Sequence, residues 1–329
     1  MTDSATAPIQ YRSLGPSGLR VSTIGLGCNN LGRTGTATES QKGADAVIGA
    51  AIDAGLTLFD TADIYGAERG LSETMLGKAI GDRRGEIVLA TKFGMDMQGA
   101  NGPDWGARGS RRYIRLAVEA SLTRLGTDWI DLYQLHEPDP FTPVEETLAT
   151  LDDLVAEGKI RYYGHSNLTG WQIAEAEYEA RLGGHQHFVS AQNEYSLLAR
   201  GVEAEVLPAV RRYGLGFLPY FPLHNGILTG KYTQGAGPDD TRVMREKRYL
   251  LDRVDWDALD RLQAFADARG ATMLEVAFGW LLAQPNLTSV IAGATTPDQV
   301  RQNIAAATAW VPDAAELAEI DALLAPQVS

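Results

Sequence analysis

Residues 58–66 read LFDTADIYG. A short apolar run, Leu56, Leu58 and Phe59, ends in the carboxylate of Asp60, and Tyr65 follows beside Gly66. An acid at the tip of a strand made for burial raises the question of what that tip faces. The same grammar recurs along the chain. Short apolar runs occupy 22–27, 56–60, 86–92, 129–136, 160–167, 187–193, 214–220 and 287–293, eight in all. Several are β-rich and do not alternate polar with apolar, as expected of strands covered on both faces.

Stretches of helical period lie between these runs. Residues 41–54 set Val47, Ile48, Ala51 and Ile52 on one face, with Gly55 as a stop. Residues 111–125 follow an N-cap candidate, Ser110, and end at Gly126. Residues 144–157, 169–181, 203–213, 256–269, 272–284 and 313–324 read the same way. In the last of these, Leu317, Ile320 and Leu324 share a face that would close the barrel's side. Before the first run, residues 8–23 predict a β-hairpin around Gly15-Pro16-Ser17-Gly18. Eight βα-type units without a composition break predict one domain over 1–329, a (β/α)8 TIM barrel with an N-terminal β-hairpin and residues 1–9 as a flexible tail. The rival is an open doubly wound sheet, and the missing GxGxxG after the first run counts against it. Two long polar loops, 94–109 and 233–250, would both lie on the C-terminal face.

Bulk properties exclude other classes. The chain has 329 residues, 44% apolar and 22% charged, as soluble domains do. No stretch is long and apolar enough for a membrane helix, and the N-terminus lacks a signal-peptide pattern. One cysteine, Cys28, rules out an internal disulfide and fits a reducing cytosol, so a cytoplasmic location is expected. A net charge of −13 argues against non-specific nucleic-acid binding and against a polybasic membrane contact.

In a barrel the chemistry sits at the C-terminal strand ends. Here those ends carry Asp60, Lys92, His136, Ser166 with Asn167, Gln192, Tyr220 and Gly293. Any one of them alone would pass as an ordinary strand ending. Asp, Tyr, Lys and His together suggest proton donation to a carbonyl oxygen. A free tyrosine is a weak acid near neutrality, a nearby ammonium should lower its pKa, and a carboxylate should hold that ammonium charged. A neutral imidazole can align the carbonyl. Asp60 would anchor Lys92, and Tyr65 would be the acid. No metal is called for.

The motifs FDTADIYG (59–66), ATKFG (90–94), RLGTDWIDLYQLHEPDP (124–140), GKIRYYGHSN (158–167), QNEYSLL (192–198), LTGKY (228–232) and GATTPDQVRQN (293–303) recur in one order and spacing. With them the chain, from about residue 10 to 325, resembles the aldo-keto reductases. The later motifs are most similar to the branch holding bacterial reductases and potassium channel β-subunits. The resemblance implies a barrel that binds NADPH in extended form, with Asp60, Tyr65, Lys92 and His136 as the catalytic four. It implies hydride transfer from nicotinamide C4 to an aldehyde or ketone, with Tyr65 giving the proton. Asp60, Ser166, Asn167 and Gln192 would meet the nicotinamide end, and Tyr220 would stack on its ring. Phe221, Pro222, Leu223, Gly226 and Lys231 would run under the pyrophosphate. Gly293, Thr295, Gln299, Gln302 and Asn303 would hold the adenosine end. Thr296 reads as an N-cap with Pro297 at N1, a ready anion site.

The chain departs from the family's pattern at three places. Phe221 stands where a serine is usual. Positions 295 and 296 are threonines where many NADPH-preferring relatives carry a cation, and Gln302 replaces a frequent glutamate. Arg242 or Arg301 would then face the 2′-phosphate, with NADPH ahead of NADH. Trp105 and residues 95–109 would line the mouth for a small-molecule carbonyl, in a monomer or homo-oligomer. The alternatives are an NAD-dependent sugar or cyclitol dehydrogenase and a cofactor-sensing regulatory subunit.

Overall fold

The computed structural model describes residues 9–239 and 241–324. Residues 1–8 of the expected tail lie outside the described residues, and Ile9 packs against the core. In chain order the elements are β1 (Tyr11–Ser13), β2 (Arg20–Ser22), β3 (Ile24–Gly27), α1 (Gln41–Asp53), β4 (Leu58–Asp60), α2 (Leu71–Ile80) and β5 (Val88–Phe93). Next come α3 (Arg111–Leu125), β6 (Ile130–Leu135), α4 (Val144–Ala156), β7 (Ile160–Ser166), α5 (Gly170–Gly183), β8 (Ser190–Gln192), α6 (Val206–Tyr213) and β9 (Gly216–Phe217). The chain continues with α7 (Arg242–Glu246), α8 (Trp256–Ala268), α9 (Met273–Leu282), β10 (Val290–Gly293), α10 (Pro297–Ala309) and α11 (Ala314–Leu324).

Strands β3 to β10 form one parallel sheet in the order β10-β3-β4-β5-β6-β7-β8-β9. The two ends of that order meet. Phe217 bridges Leu287 in parallel, the Phe217 amide donates to Asn286 O, and the Thr288 amide donates to Phe217 O, both at 2.9 Å. The sheet is thus a (β/α)8 barrel, as the alternation predicted. β1 and β2 pair antiparallel and send Leu14 and Val21 into the barrel's inner apolar cluster with Leu58, Ala90, Leu132 and Ile291. Gly15 makes that plug possible. It adopts φ +56°, and a Cβ there would lie 2.3 Å from Val189 O.

Period-two alternation sets the layers. Leu58, Ala90 and Leu132 point inward, while Phe59 and Tyr133 join the outer core under the helices. One step on, Asp60, Lys92 and Gln134 point inward and bond to one another. Burying each leucine of the inner layer contributes about 1.5–3 kcal/mol, and that layer is the floor on which the polar layer rests.

Helix ends follow the sequence signals. Ser110 accepts from the Tyr113 amide at the start of α3, and Gly126 ends it at φ +64°. Thr272 and Glu275 form a capping box on α9, and Thr296 caps α10 with Pro297 in its first turn. On α11, Ile320 is buried, with Leu317 and Leu324 against the core. Three expectations need correction. The helix expected over 203–213 begins at Val206, because Pro208 lacks an amide hydrogen and is tolerated only in a first turn. The polar stretch 233–250 carries α7 and the start of a 3-10 turn, Arg248–Arg253. Helix α2 was not anticipated, since it is short and glycines lie within it and on both sides. One of them, Gly77, lets α2 meet the end of α3, where a Cβ would come within 2.3 Å of Leu125 O.

Candidate active site

The layer above the apolar floor is a closed hydrogen-bonded set. Asp60, 3% exposed, accepts from Lys92 Nζ (2.6 Å) through Oδ2. Its Oδ1 accepts from Gln134 Nε2 (3.1 Å) and Gln192 Nε2 (2.9 Å). Lys92 is fully buried and also donates to Thr61 O at 2.9 Å and to the Tyr65 phenol. Burial opposes its charge, but Asp60 and the Tyr65 hydroxyl outweigh burial and raise its pKa. The ammonium lies 5.2 Å from the Tyr65 ring centre.

Tyr65 reaches this layer through a turn after β4. Its amide donates to Ala62 O, and the Ser72 amide of α2 donates to its carbonyl. Its pKa is raised, chiefly by burial, with Asp60 and Asp63 adding and Lys92 opposing. This corrects the expected downward shift. The pull of Lys92 is present, but burial and two carboxylates exceed it, so the phenol is neutral and carries a proton to give.

His136 packs edge-on against Tyr65, ring centres 5.7 Å apart. Burial first and Lys92 second depress its pKa well below the ordinary range, so the ring is neutral near pH 7. Its Nδ1 is buried without a hydrogen-bond partner among the described residues.

Beside His136 lies a second connected group. Asn167, at φ +60°, donates from Nδ2 to His136 O (2.9 Å) and to Ser166 Oγ (3.1 Å). Its Oδ1 accepts from the Tyr220 hydroxyl at 2.9 Å. Ser166 Oγ donates to Gln192 O at 2.8 Å. Ser166, Asn167, Gln192 and Tyr220 therefore form one rim with His136, at the ends of β7, β8 and the segment after β9.

After Tyr220 the backbone turns sharply. Phe221, His224, Asn225 and Gly226 adopt φ +50°, +46°, +60° and +95°. The Gly226 amide donates to Leu223 O. Such conformations are costly for residues other than glycine and cluster at ligand clamps. Phe221 meets Tyr220 edge-on at 5.2 Å, and Pro222 follows it into the turn. Lys231 lies beside Gly226 and has its ammonium 5.5 Å from the Tyr232 ring. Arg242 opens α7 and pairs with Glu246.

Two cations here escaped the sequence reading. Lys247 donates to Asn225 Oδ1 (3.2 Å) and stands 5.4 Å from the Phe221 ring centre. Arg33, after β3, donates to Asn30 Oδ1 and Asn29 O, and its pKa falls to about 10 through burial and the field of Arg242. The Lys247 pKa is lowered too, by burial, Arg242 and Arg33. Three cations thus share one patch. The strap carrying two of them is tied across to the β3 side, where Arg245 donates to Gly35 O at 3.2 Å. Isolated Arg and Lys in polar loops gave no sequence signal of this convergence.

The residues expected at the adenosine end gather at the start of α10. The Thr295 amide donates to Gln299 Oε1 (2.7 Å), and the Gln299 amide donates to Thr296 Oγ1. Asn303 Nδ2 donates to Gly293 O (3.3 Å), and Gln302 is exposed. Arg301 pairs with Asp298 on the surface of the same helix. At the mouth, Trp105 is 78% exposed at φ +50°, with the Arg112 guanidinium 4.4 Å from its ring centre. Phe141 joins it through contact at Gly106 and was not anticipated.

The family model described as the aldo/keto reductase family matches residues 23–325. The chain is 38% identical over 304 residues to the oxidoreductase YrpG of Bacillus subtilis, covering 91% of each chain. It is 36% identical over 313 residues to a probable voltage-gated potassium channel subunit beta of Arabidopsis thaliana, again covering 91% of each. It is 34% identical over 329 residues to L-glyceraldehyde 3-phosphate reductase of Escherichia coli K12, covering 95% of this chain and 92% of that one.

Proposed function

The chain belongs to the aldo/keto reductase family, whose chemistry is oxidoreduction at carbonyls, and we propose that it is an NADPH-dependent reductase of aldehydes or ketones with Tyr65 as proton donor. One observation carries the reading. A single bonded line runs from Asp60 through Lys92 to the Tyr65 phenol, with a neutral His136 beside it.

Each residue's part follows from its surroundings. Asp60 holds the ammonium and is itself held by two amides, so it cannot turn away. Lys92 stabilises phenolate as the proton leaves Tyr65. Neutral His136 can direct a ring N–H at a carbonyl oxygen without competing for the proton. Once the Tyr65 proton has gone to the carbonyl oxygen, the Lys92 ammonium can return one to the phenolate and regain it from solvent, while Asp60 keeps the amine in place.

The residues fit an anionic dinucleotide. Arg33, Arg242 and Lys247 are pressed together against their own repulsion, an arrangement that an anion between them would relieve. The strained 221–226 turn and the capped start of α10 are further anion-accepting backbones. When bound, the nicotinamide supplies the hydride. Asn167 and Ser166 would orient its carboxamide, Tyr220 would face its ring, and Arg242 with Lys231 would meet its phosphates. Gln192 would hold Asp60 while bordering the same ring. NADPH stands ahead of NADH on the strength of the cation patch. The name of the Arabidopsis relative supports a second reading, a cofactor-responsive regulatory subunit.

The test is cofactor oxidation, followed by near-ultraviolet absorbance, with a panel of aromatic, aliphatic and phosphorylated aldehydes and with NADPH or NADH. Turnover with NADPH is expected. Tight cofactor binding with no turnover across the panel would favour the regulatory subunit, and preference for NADH with turnover toward alcohol oxidation would favour the dehydrogenase.

A further inference from the structure

Outside the barrel wall, directly behind Tyr65, lies a buried polar network that the proposed reaction does not use. Asp63, two residues before Tyr65, is wholly buried. Its amide donates to Lys92 O at 3.2 Å, and its carboxylate accepts from the Ile64 amide. Asp63 Oδ2 also accepts from Asn101 Nδ2 at 2.9 Å. Asn101 comes from the long 94–109 loop that carries Trp105 at the mouth, yet its own side chain is 5% exposed.

The orientation of the Asn101 amide is fixed by chemistry. Arg124 Nη1 donates to Asn101 Oδ1 at 2.9 Å, and a guanidinium can only donate, so the other end of the amide must face Asp63. Arg124 is in turn held by Glu73 of α2 at 2.6 Å, and Glu73 accepts from Thr91, the neighbour of Lys92, also at 2.6 Å. The phenols of Tyr113 and Tyr133 border the same space. The Tyr133 hydroxyl and Asp63 Oδ1 have no hydrogen-bond partner among the described residues.

Five segments meet in it: the Tyr65 turn, the strand of Lys92, helix α2, helix α3 and the mouth loop. Asn101 is the mouth loop's arm. We propose that Asp63 and Asn101 are a positioning pair, through which docking of the 94–109 loop fixes the turn that sets the Tyr65 phenol against Lys92. The proposal rests on Tyr65 being the proton donor. Neither residue touches the reacting atoms. Their effect is on where the donor stands, and small misplacement of a donor costs rate and not binding.

A double-mutant cycle tests this on the full chain. Asp63→Ala and Asn101→Ala are each expected to lower kcat about tenfold, with aldehyde KM and NADPH Kd within about twofold of wild type. The double variant should be no slower than the slower single one, because both remove the same link. Asp63→Asn keeps an acceptor for Asn101 and should restore most of kcat. If Asp63→Ala does not accumulate folded, Asn101→Ala and Asp63→Asn carry the comparison. An unchanged kcat, losses that add in the double variant, or losses that follow cofactor affinity or thermal stability would overturn the pair. Tyr65→Phe is run alongside. Full activity in Tyr65→Phe removes the donor assignment itself, whereas an inactive Tyr65→Phe with wild-type Asp63 and Asn101 variants removes only the positioning pair.

Discussion

The barrel's inner polar layer and the strap over residues 221–253 face the same mouth but are built by opposite means. In the layer, charges are matched. Asp60 receives three donors and Lys92 gives to Asp60, Thr61 and Tyr65, all on or beside strands whose register leaves no freedom. In the strap, charges are crowded. Lys247 and Arg242 lie near Arg33, with backbone at positive φ beneath them. The contrast teaches that chemistry and grip are separated here. The layer holds its polar groups in fixed geometry, while the strap gathers Arg33, Arg242 and Lys247 with only Glu246 and Glu194 to offset them, the charge that the proposed anionic cofactor would balance.

The largest expected effect breaks the layer. Asp60→Ala leaves a buried ammonium uncompensated and should cost about 3–5 kcal/mol of stability, read by urea unfolding. Asp60→Asn, which keeps the shape, should unfold closer to wild type yet lose activity. A stability loss under 1 kcal/mol in Asp60→Ala would mean that Lys92 is not held as described.

The strap should answer in the other direction. Lys247→Met and Arg242→Met remove repulsion along with the Asn225 contact and the Glu246 pair, so thermal stability should change by less than about 1 kcal/mol, but each should weaken NADPH binding by about tenfold or less, more at low salt than at high. Fluorescence titration at two ionic strengths reads this. A stability loss without change in cofactor affinity would erase the distinction between the two regions.

Legibility in the sequence divided along the same line. The strands, the hairpin and the inward polar ends could be read because burial period and register are local properties. Asp60, Lys92 and His136 each close an apolar run, and their meeting follows once the barrel is inferred. The strap could not be read that way. Arg33 and Lys247 are about two hundred residues apart in sequence, and only the folded loops bring them near each other. Helix α2 was hidden by glycines whose purpose, close approach to α3, appears only in the packing. The direction of the Tyr65 shift was missed because sequence shows the neighbouring charge but not the depth of burial that outweighs it.

A further effect, confined to acid pH, lies away from both regions. His165 is wholly buried on the outer face of β7 against Phe188, and burial holds its pKa down to about 3. Folded His165 stays neutral while unfolded His165 takes a proton below about 6.5, so stability should be full above pH 6.5 and fall as the pH drops toward 3. His165→Leu should flatten that part of the thermal-stability profile between pH 6.5 and 4.5. An unchanged slope would show that another group is responsible.

The central claim is that a proton leaves Tyr65 under the influence of Lys92, and single-turnover hydride transfer tests it most directly. Wild type and Tyr65→Phe, each saturated with NADPH, would be mixed with an aldehyde turned over by wild type, and the loss of cofactor absorbance followed. Equal cofactor affinity with a transfer rate at least about a thousandfold lower in Tyr65→Phe is the predicted result. Transfer at a comparable rate in both would contradict it and put the proton donor elsewhere in the layer.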